Sequence, residues 1–174
     1  MRSILFAGLL ALATPAAAEV VSADTHGFEV QESVSLVVPQ GQAYAAFGRL
    51  GSWWSDEHSY SGKAANIRLT LQPGACMCEA NPKGGGVEHM RVAVVMPGER
   101  IVMTGSLGPL LYEAAAGVMD VKFERIAGGT KVTMNYRAAG FAKGNADKLA
   151  PIVDSVLAEQ MKRYRAFAAK GGGK

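Results

Sequence analysis

Residues 145–170 read NADKLAPIVDSVLAEQMKRYRAFAAK, and the reading of this stretch decides the fold. Leu149, Ile152, Val153, Val156, Leu157, Met161, Tyr164 and Phe167 recur at steps of three and four, the stripe of an amphipathic helix with one wide buried face. Asp154, Ser155, Glu159, Lys162, Arg163 and Lys170 fall mostly on the other side. At about 1.5 Å per residue such a helix spans a small domain. Almost everything before it reads as strands, so the helix is the natural object for a sheet to wrap.

Working outward, Phe28, Val30, Val34, Leu36 and Val38 alternate with Glu29, Gln31, Ser33 and Ser35, which predicts a half-buried strand. Pro39 ends it, and Tyr44, Phe47 and Leu50 predict a short helix closed by Gly51. Trp53-Trp54 and a polar loop to Ala65 follow. Further strands are predicted near residues 66–71, 75–80, 87–96, 100–107, 119–124 and 132–136. The breaks between them carry Pro73-Gly74, the 81–86 run, Pro97-Gly98 and Gly128-Gly129. Residues 110–116 are ambiguous, since Glu-Ala-Ala-Ala favours helix locally while the setting favours strand. The order implies an α+β fold: a curved antiparallel sheet of about six or seven strands gripping a long C-terminal helix, with short helices after the first strand. Such a shape tends to leave a cavity between sheet and helix.

Residues 1–18 read as a secretory leader. Arg2 supplies the charged start, 4–13 is an apolar run too short to span a bilayer comfortably, and Ala16-Ala17-Ala18 matches the cleavage pattern. Cleavage near Ala18 gives an exported chain, periplasmic or secreted, in four parts: leader 1–18, flexible segment 19–27, folded domain 28–170 and flexible tail 171–174. About 156 residues suit one domain with a real core. The formal charge of +3 falls to +2 once Arg2 is removed, and no basic run with interleaved aromatics exists, so nucleic acid is not an expected partner. No second apolar stretch predicts a membrane span in the mature chain.

Several motifs carry a family resemblance. They are Val34 to Pro39 leading into Tyr44-Ala-Ala-Phe47, then Trp53-Trp54, Leu71-Gln-Pro-Gly74 and Pro97-Gly-Glu-Arg100-Ile101-Val102. Gly128-Gly-Thr130-Lys-Val132-Thr133 and the closing helix through Gln160, Arg163 and Tyr164 complete the set. In this order they resemble the START-like, helix-grip superfamily (SRPBCC), and within it the branch related to the heat-shock-protein-90 ATPase activator homologues. The resemblance implies the helix-grip fold. It implies function only loosely, because such folds host carriers, cyclases, hydrolases and cochaperone-like domains. The chaperone-activating members work beside ATP in the cytosol, which an exported chain would not meet.

The expected partner is a small hydrophobic or amphipathic ligand in the cavity; no protein partner is named by the sequence. Candidate ligand-contacting residues are Trp53, Trp54, His58, Tyr60, His89, Met103, Met119 and Tyr136. The methionines suit a pocket of adaptable shape. The second reading is a cyclase- or hydrolase-type enzyme with His58, His89, Glu79 and Tyr60 as acid–base groups. The third is a metal-binding or chaperone-like interaction domain.

Cys76 and Cys78 lie at i and i+2, so a regular strand puts them on one face about 6.6 Å apart, near the upper limit for a disulfide. A bulge would permit the bond. With 81–86 as the hairpin loop, Cys78 opposes His89, and Cys76, Cys78 and His89 share a face, with His58 as a fourth group. Two thiolates and two imidazoles would suit zinc or copper; otherwise no cofactor is expected. Disulfide, buried thiols and metal site all stay open here. Met90, Val92, Val94 and Met96 make one good core row of that strand, whereas the resemblance puts Arg91, Ala93 and Val95 inward, with His89.

Overall fold

The computed structural model describes residues 18–172. The leader reading therefore lies outside the described residues, apart from Ala18, where the first strand begins. The strands are β1 (Ala18–Ala23), β2 (Gly27–Leu36), β3 (Ile67–Leu69), β4 (Cys76–Ala80), β5 (Gly86–Met96), β6 (Arg100–Gly105), β7 (Ala116–Ile126) and β8 (Gly129–Ala139). Helix α1 (Gln40–Gly48) and three single turns of 3-10 helix fall between β2 and β3, and α2 (Ala146–Ala169) closes the chain. The eight strands form one open antiparallel sheet in the order β1-β2-β8-β7-β6-β5-β4-β3. The fold class is the α+β arrangement that the strand-then-helix order implies, with β1 as the added strand.

β1 corrects the expectation that residues 19–27 are loose. It pairs with β2 from Ala18 opposite Glu32 to Ala23 opposite Phe28, with a register shift between Val20 and Ser22. That irregularity breaks the period of two by which a strand is recognised in sequence. The ambiguous 110–116 stretch also resolves. Gly108–Glu113 is a 3-10 turn that ends at Ala114, with φ of 55°, and β7 starts two residues later.

The core lies between the inner sheet face and α2. Phe28, Val30, Val34 and Leu36 of β2 point into it, and Glu32 stands in the same buried row. At its far end the Phe47 ring meets Trp53, Phe123 and Tyr164. The Tyr164 hydroxyl donates to the Ala43 carbonyl at 2.8 Å and Arg163 Nε donates to the Trp53 carbonyl at 2.9 Å, tying α1 and the following turn to α2. Burial pushes the Tyr164 hydroxyl far above its ordinary pKa.

The stripe on α2 is not buried along its whole length. Leu157, Met161 and Tyr164 are enclosed. Leu149, Val153 and Val156 are only half-buried and Ile152 is 60% exposed. The N-terminal half of the helix thus presents apolar side chains that the sheet does not cover.

Strand β5 carries two register shifts, one opposite Met77/Cys78 and one between Val92 and Val94. Cys78 faces Glu88 and Met77 faces Met90, so His89 is the extra residue. A bulge re-aims side chains, and here His89 and Met90 are both buried. The expectation that Cys78 opposes His89 is therefore corrected. So is the inward placement of Arg91 and Ala93, which are exposed while Met90 and Val92 fill the core.

Tyr136 lies fully buried across β7. An added Cβ on Gly117 would stand 2.6 Å from its ring and hydroxyl. The Tyr136 oxygen accepts the Leu107 N–H at 3.2 Å, where the 108–113 turn begins, and burial pushes its pKa up to about 12. Gly117→Ala is expected to cost about 1–3 kcal/mol through overpacking. The check is a lower urea midpoint at unchanged slope.

Candidate functional site

The uncovered half of α2 forms one wall of a cavity of about 530 Å³. Leu149, Ile152, Val153, Val156 and Leu157 face it from the helix, and Leu107, Pro109, Leu110 and Tyr112 roof it from the 3-10 turn. Trp54, Glu57, His58, Ser59 and Tyr60 come from the loop after α1, and Met77 and His89 come from β4 and β5. The lining is mainly apolar with a few polar groups, as small-molecule sites usually are.

The loop that supplies Trp54 to Tyr60 is held by its own polar groups. Asp56 Oδ1 accepts the Ala64 N–H at 2.7 Å and the Ser59 hydroxyl donates to the Asp56 carbonyl at 2.8 Å. Trp54 Nε1 donates to the His58 carbonyl at 2.8 Å, which fixes its ring against the cavity. Trp53 turns the other way: its Nε1 donates to the Ala46 carbonyl at 3.1 Å, and its ring packs on Phe47 and Tyr164. The adjacent pair thus divides, one ring to the cavity and one to the core.

His58 sits at the rim, its imidazole against Gln160 of α2. The Ser55 N–H donates to Gln160 Oε1 at 2.8 Å, which orients the amide. Its nitrogen then faces His58 Nδ1 at 3.0 Å, and Glu159 Oε2 lies 3.6 Å from the same atom. An amide NH₂ can only donate, so His58 Nδ1 accepts and Nε2 carries the proton. Tyr60 is 45% exposed and Tyr112 74% exposed at the mouth. Burial, then contact with Tyr112 and the charge of Glu79, raise the Tyr60 pKa.

On the sheet side of the cavity lies a buried polar pair, Glu79–His89, 3% and 4% exposed. Glu79 Oε2 lies 3.0 Å from His89 Nε2 and takes the Tyr60 N–H at 3.1 Å, and Oε1 takes the Ser61 N–H at 2.5 Å. Burial alone would raise the carboxyl pKa, but the hydrogen bonds from Ser61, Tyr60 and His89 outweigh it and hold Glu79 below its usual value. The other ring nitrogen, His89 Nδ1, is buried without a hydrogen-bond partner among the described residues.

Of the residues singled out in the sequence, Trp54, His58, Tyr60 and His89 line this cavity. Trp53, Met103, Met119 and Tyr136 do not; they are buried in the body of the core. The turn at 107–112 and the helix residues 149–156 join them as contacts that the sequence reading lacks. The apolar stripe of the helix is legible in the sequence, but the part of it that the sheet leaves uncovered is not.

The four groups considered for a metal do not converge. Cys76 and Cys78 form a disulfide, Cα to Cα 5.3 Å, across from the bulge in β5. They share the outer face of β4 with Glu88 beside them, while Met77 and Glu79 point inward. The bulge turns His89 to that inner side, against Glu79, and His58 is bonded to Gln160.

No protein-family profile matches the chain, and no curated protein matches it. Solved structures are similar in fold. An uncharacterised protein from Rhizobium leguminosarum is 18% identical, over 90% of this chain and 99% of its own, with a TM-score of 0.56. A Rhodobacter sphaeroides protein is 14% identical over 88% and 99%, with a TM-score of 0.60. The di-domain aromatase/cyclase StfQ of the steffimycin biosynthetic pathway is 18% identical over 86% of this chain and 53% of its own, with a TM-score of 0.55. At these identities the likeness is one of fold alone. No helix among the described residues is long and apolar enough to cross a membrane.

Proposed function

We propose that the protein binds one small apolar or amphipathic molecule between the N-terminal half of α2, the 54–60 loop and the 107–112 turn. The observation that carries this reading is the uncovered stripe of Leu149, Ile152, Val153 and Val156 facing a cavity of about 530 Å³. Apolar surface is worth about 25 cal/mol per Å² when it leaves water, so these side chains favour an apolar occupant. A volume in the range of about 300–1,000 Å³ is usual for such sites. The likeness in fold to an aromatase/cyclase supports a ligand-holding role in general terms. In this reading residues 28–170 are a START-like domain, made with a leader at 1–18 and exported. The chaperone role of the activator homologues it resembles is not part of the reading.

The test is titration calorimetry with 2-methoxynaphthalene, a flat apolar probe. Val156→Trp places an indole in the cavity from a half-buried helix position, and a loss of about tenfold or more in affinity is expected. Unchanged binding by that variant, or no saturable binding by the wild type, would overturn the proposal.

A further inference from the structure

We propose that His89 is the polar anchor of the cavity, its Nδ1 accepting the proton of an acidic hydroxyl, a phenol or enol, on an otherwise apolar ligand. This rests on the ligand-binding reading above and adds the chemical class of the ligand.

The argument starts at Glu79. Two of its hydrogen bonds come from backbone N–H groups, of Tyr60 and Ser61, which can only donate. With its pKa held low, Glu79 is a carboxylate and an acceptor. The hydrogen between Glu79 Oε2 and His89 Nε2, 3.0 Å apart, therefore belongs to the imidazole. A neutral ring with Nε2 protonated presents a lone pair at Nδ1. This atom is buried and no group among the described residues bonds to it. Leaving such an acceptor unmet costs about 1–3 kcal/mol, a cost that a ligand hydroxyl removes.

The rest of the wall narrows the class. Met77, Leu107, Leu110 and Val153 offer the ligand body nothing polar. His58 has the opposite polarity to His89, because its Nδ1 is occupied by Gln160 and only its Nε2–H remains to donate. A molecule with an apolar body and one acidic hydroxyl satisfies His89; a carbonyl at its other end would suit His58. If the proton moves fully, the ligand O–H bond breaks and an N–H bond forms at Nδ1. The electron pair stays on the ligand oxygen, and Glu79 faces the new imidazolium.

The experiment compares 2-naphthol with 2-methoxynaphthalene, which share a body but differ in the proton. Wild-type protein is expected to bind 2-naphthol about tenfold more tightly. His89→Phe keeps a ring in place without nitrogen. It is expected to hold the two probes within about threefold of each other. Should that variant fail to fold, ¹⁵N-histidine spectra of the wild type give the same answer. The His89 Nδ1 resonance should move with 2-naphthol and not with the ether. Equal affinities in the wild type, a preference that survives in His89→Phe, or an unmoved Nδ1 resonance would overturn the role of His89 while the cavity reading stands. Failure of both probes to bind would overturn the cavity reading itself.

Discussion

Raising the pH from about 5 to about 8 is expected to strip stability from the wild-type protein and to leave Glu32→Gln nearly unaffected. Glu32 stands in the inward row of β2 between Val30 and Val34, 1% exposed, and shares a hydrogen bond with Asp154 of α2. Its Oε1 and Asp154 Oδ1 are buried without further partners among the described residues. Burial first, and the neighbouring Asp154 carboxylate second, raise its pKa from 4.5 to about 8. Between these values the folded chain holds a proton that the unfolded chain has released. The contribution to stability is therefore fully present below about pH 4.5 and is lost as the pH rises through about 8. The slope approaches about 1.4 kcal/mol per pH unit, several kcal/mol over the window. The amide of Glu32→Gln stays neutral throughout and still donates to Asp154. Urea unfolding of both proteins at three pH values decides the matter, and parallel profiles would show that the carboxyl pair is not the source.

Glu79→Ala is expected to cost about 3–5 kcal/mol, because one buried and two part-buried donors lose their shared acceptor at once. They are the N–H groups of Tyr60 and Ser61 and the His89 imidazole. The 54–66 loop reaches the sheet through this carboxylate, so its release should loosen the backbone at Lys63 and Arg68, whose side chains are already exposed, and speed cleavage there by trypsin. Denaturation gives the first quantity and limited proteolysis the second. A cost below about 1 kcal/mol with the loop still resistant would mean that the Asp56–Ala64 bond suffices to hold it.

Most of the architecture is legible in the sequence because burial on one face writes a period into it. The Phe28 to Leu36 alternation and the three-four spacing from Leu149 to Phe167 need no tertiary information. Glu32 shows how the same pattern can be misjudged. It falls in the inward register of β2, yet a carboxylate is assumed to face water unless its partner, here Asp154 from far along the chain, is known. Bulges erase the period altogether. The one at His89 moves it off the face of Cys78, and no count of residues in a hairpin reveals that. The site was harder still. Met103, Met119 and Tyr136 are as apolar as any cavity lining, but hydropathy separates inside from outside and does not separate a filled core from a void beside it. The void depends on where the sheet stops covering α2, which is a matter of three-dimensional curvature.

The position of β2 sets the order in which the domain can assemble. Strands β4 to β8 each pair with the next along the chain, so their hairpins close over short loops. β2 instead pairs with β8, Gly27 with Ala139 and Leu36 with Thr130, closing a loop that contains nearly the whole domain. Chain entropy makes that closure the slow one, and it is favoured only after the intervening meander has shortened the path. α2 packs chiefly on β2 and β1, so its docking waits on the same event. The first strands and the last helix of the domain thus meet last, and the helical wall of the cavity is completed by the step that makes the fold whole.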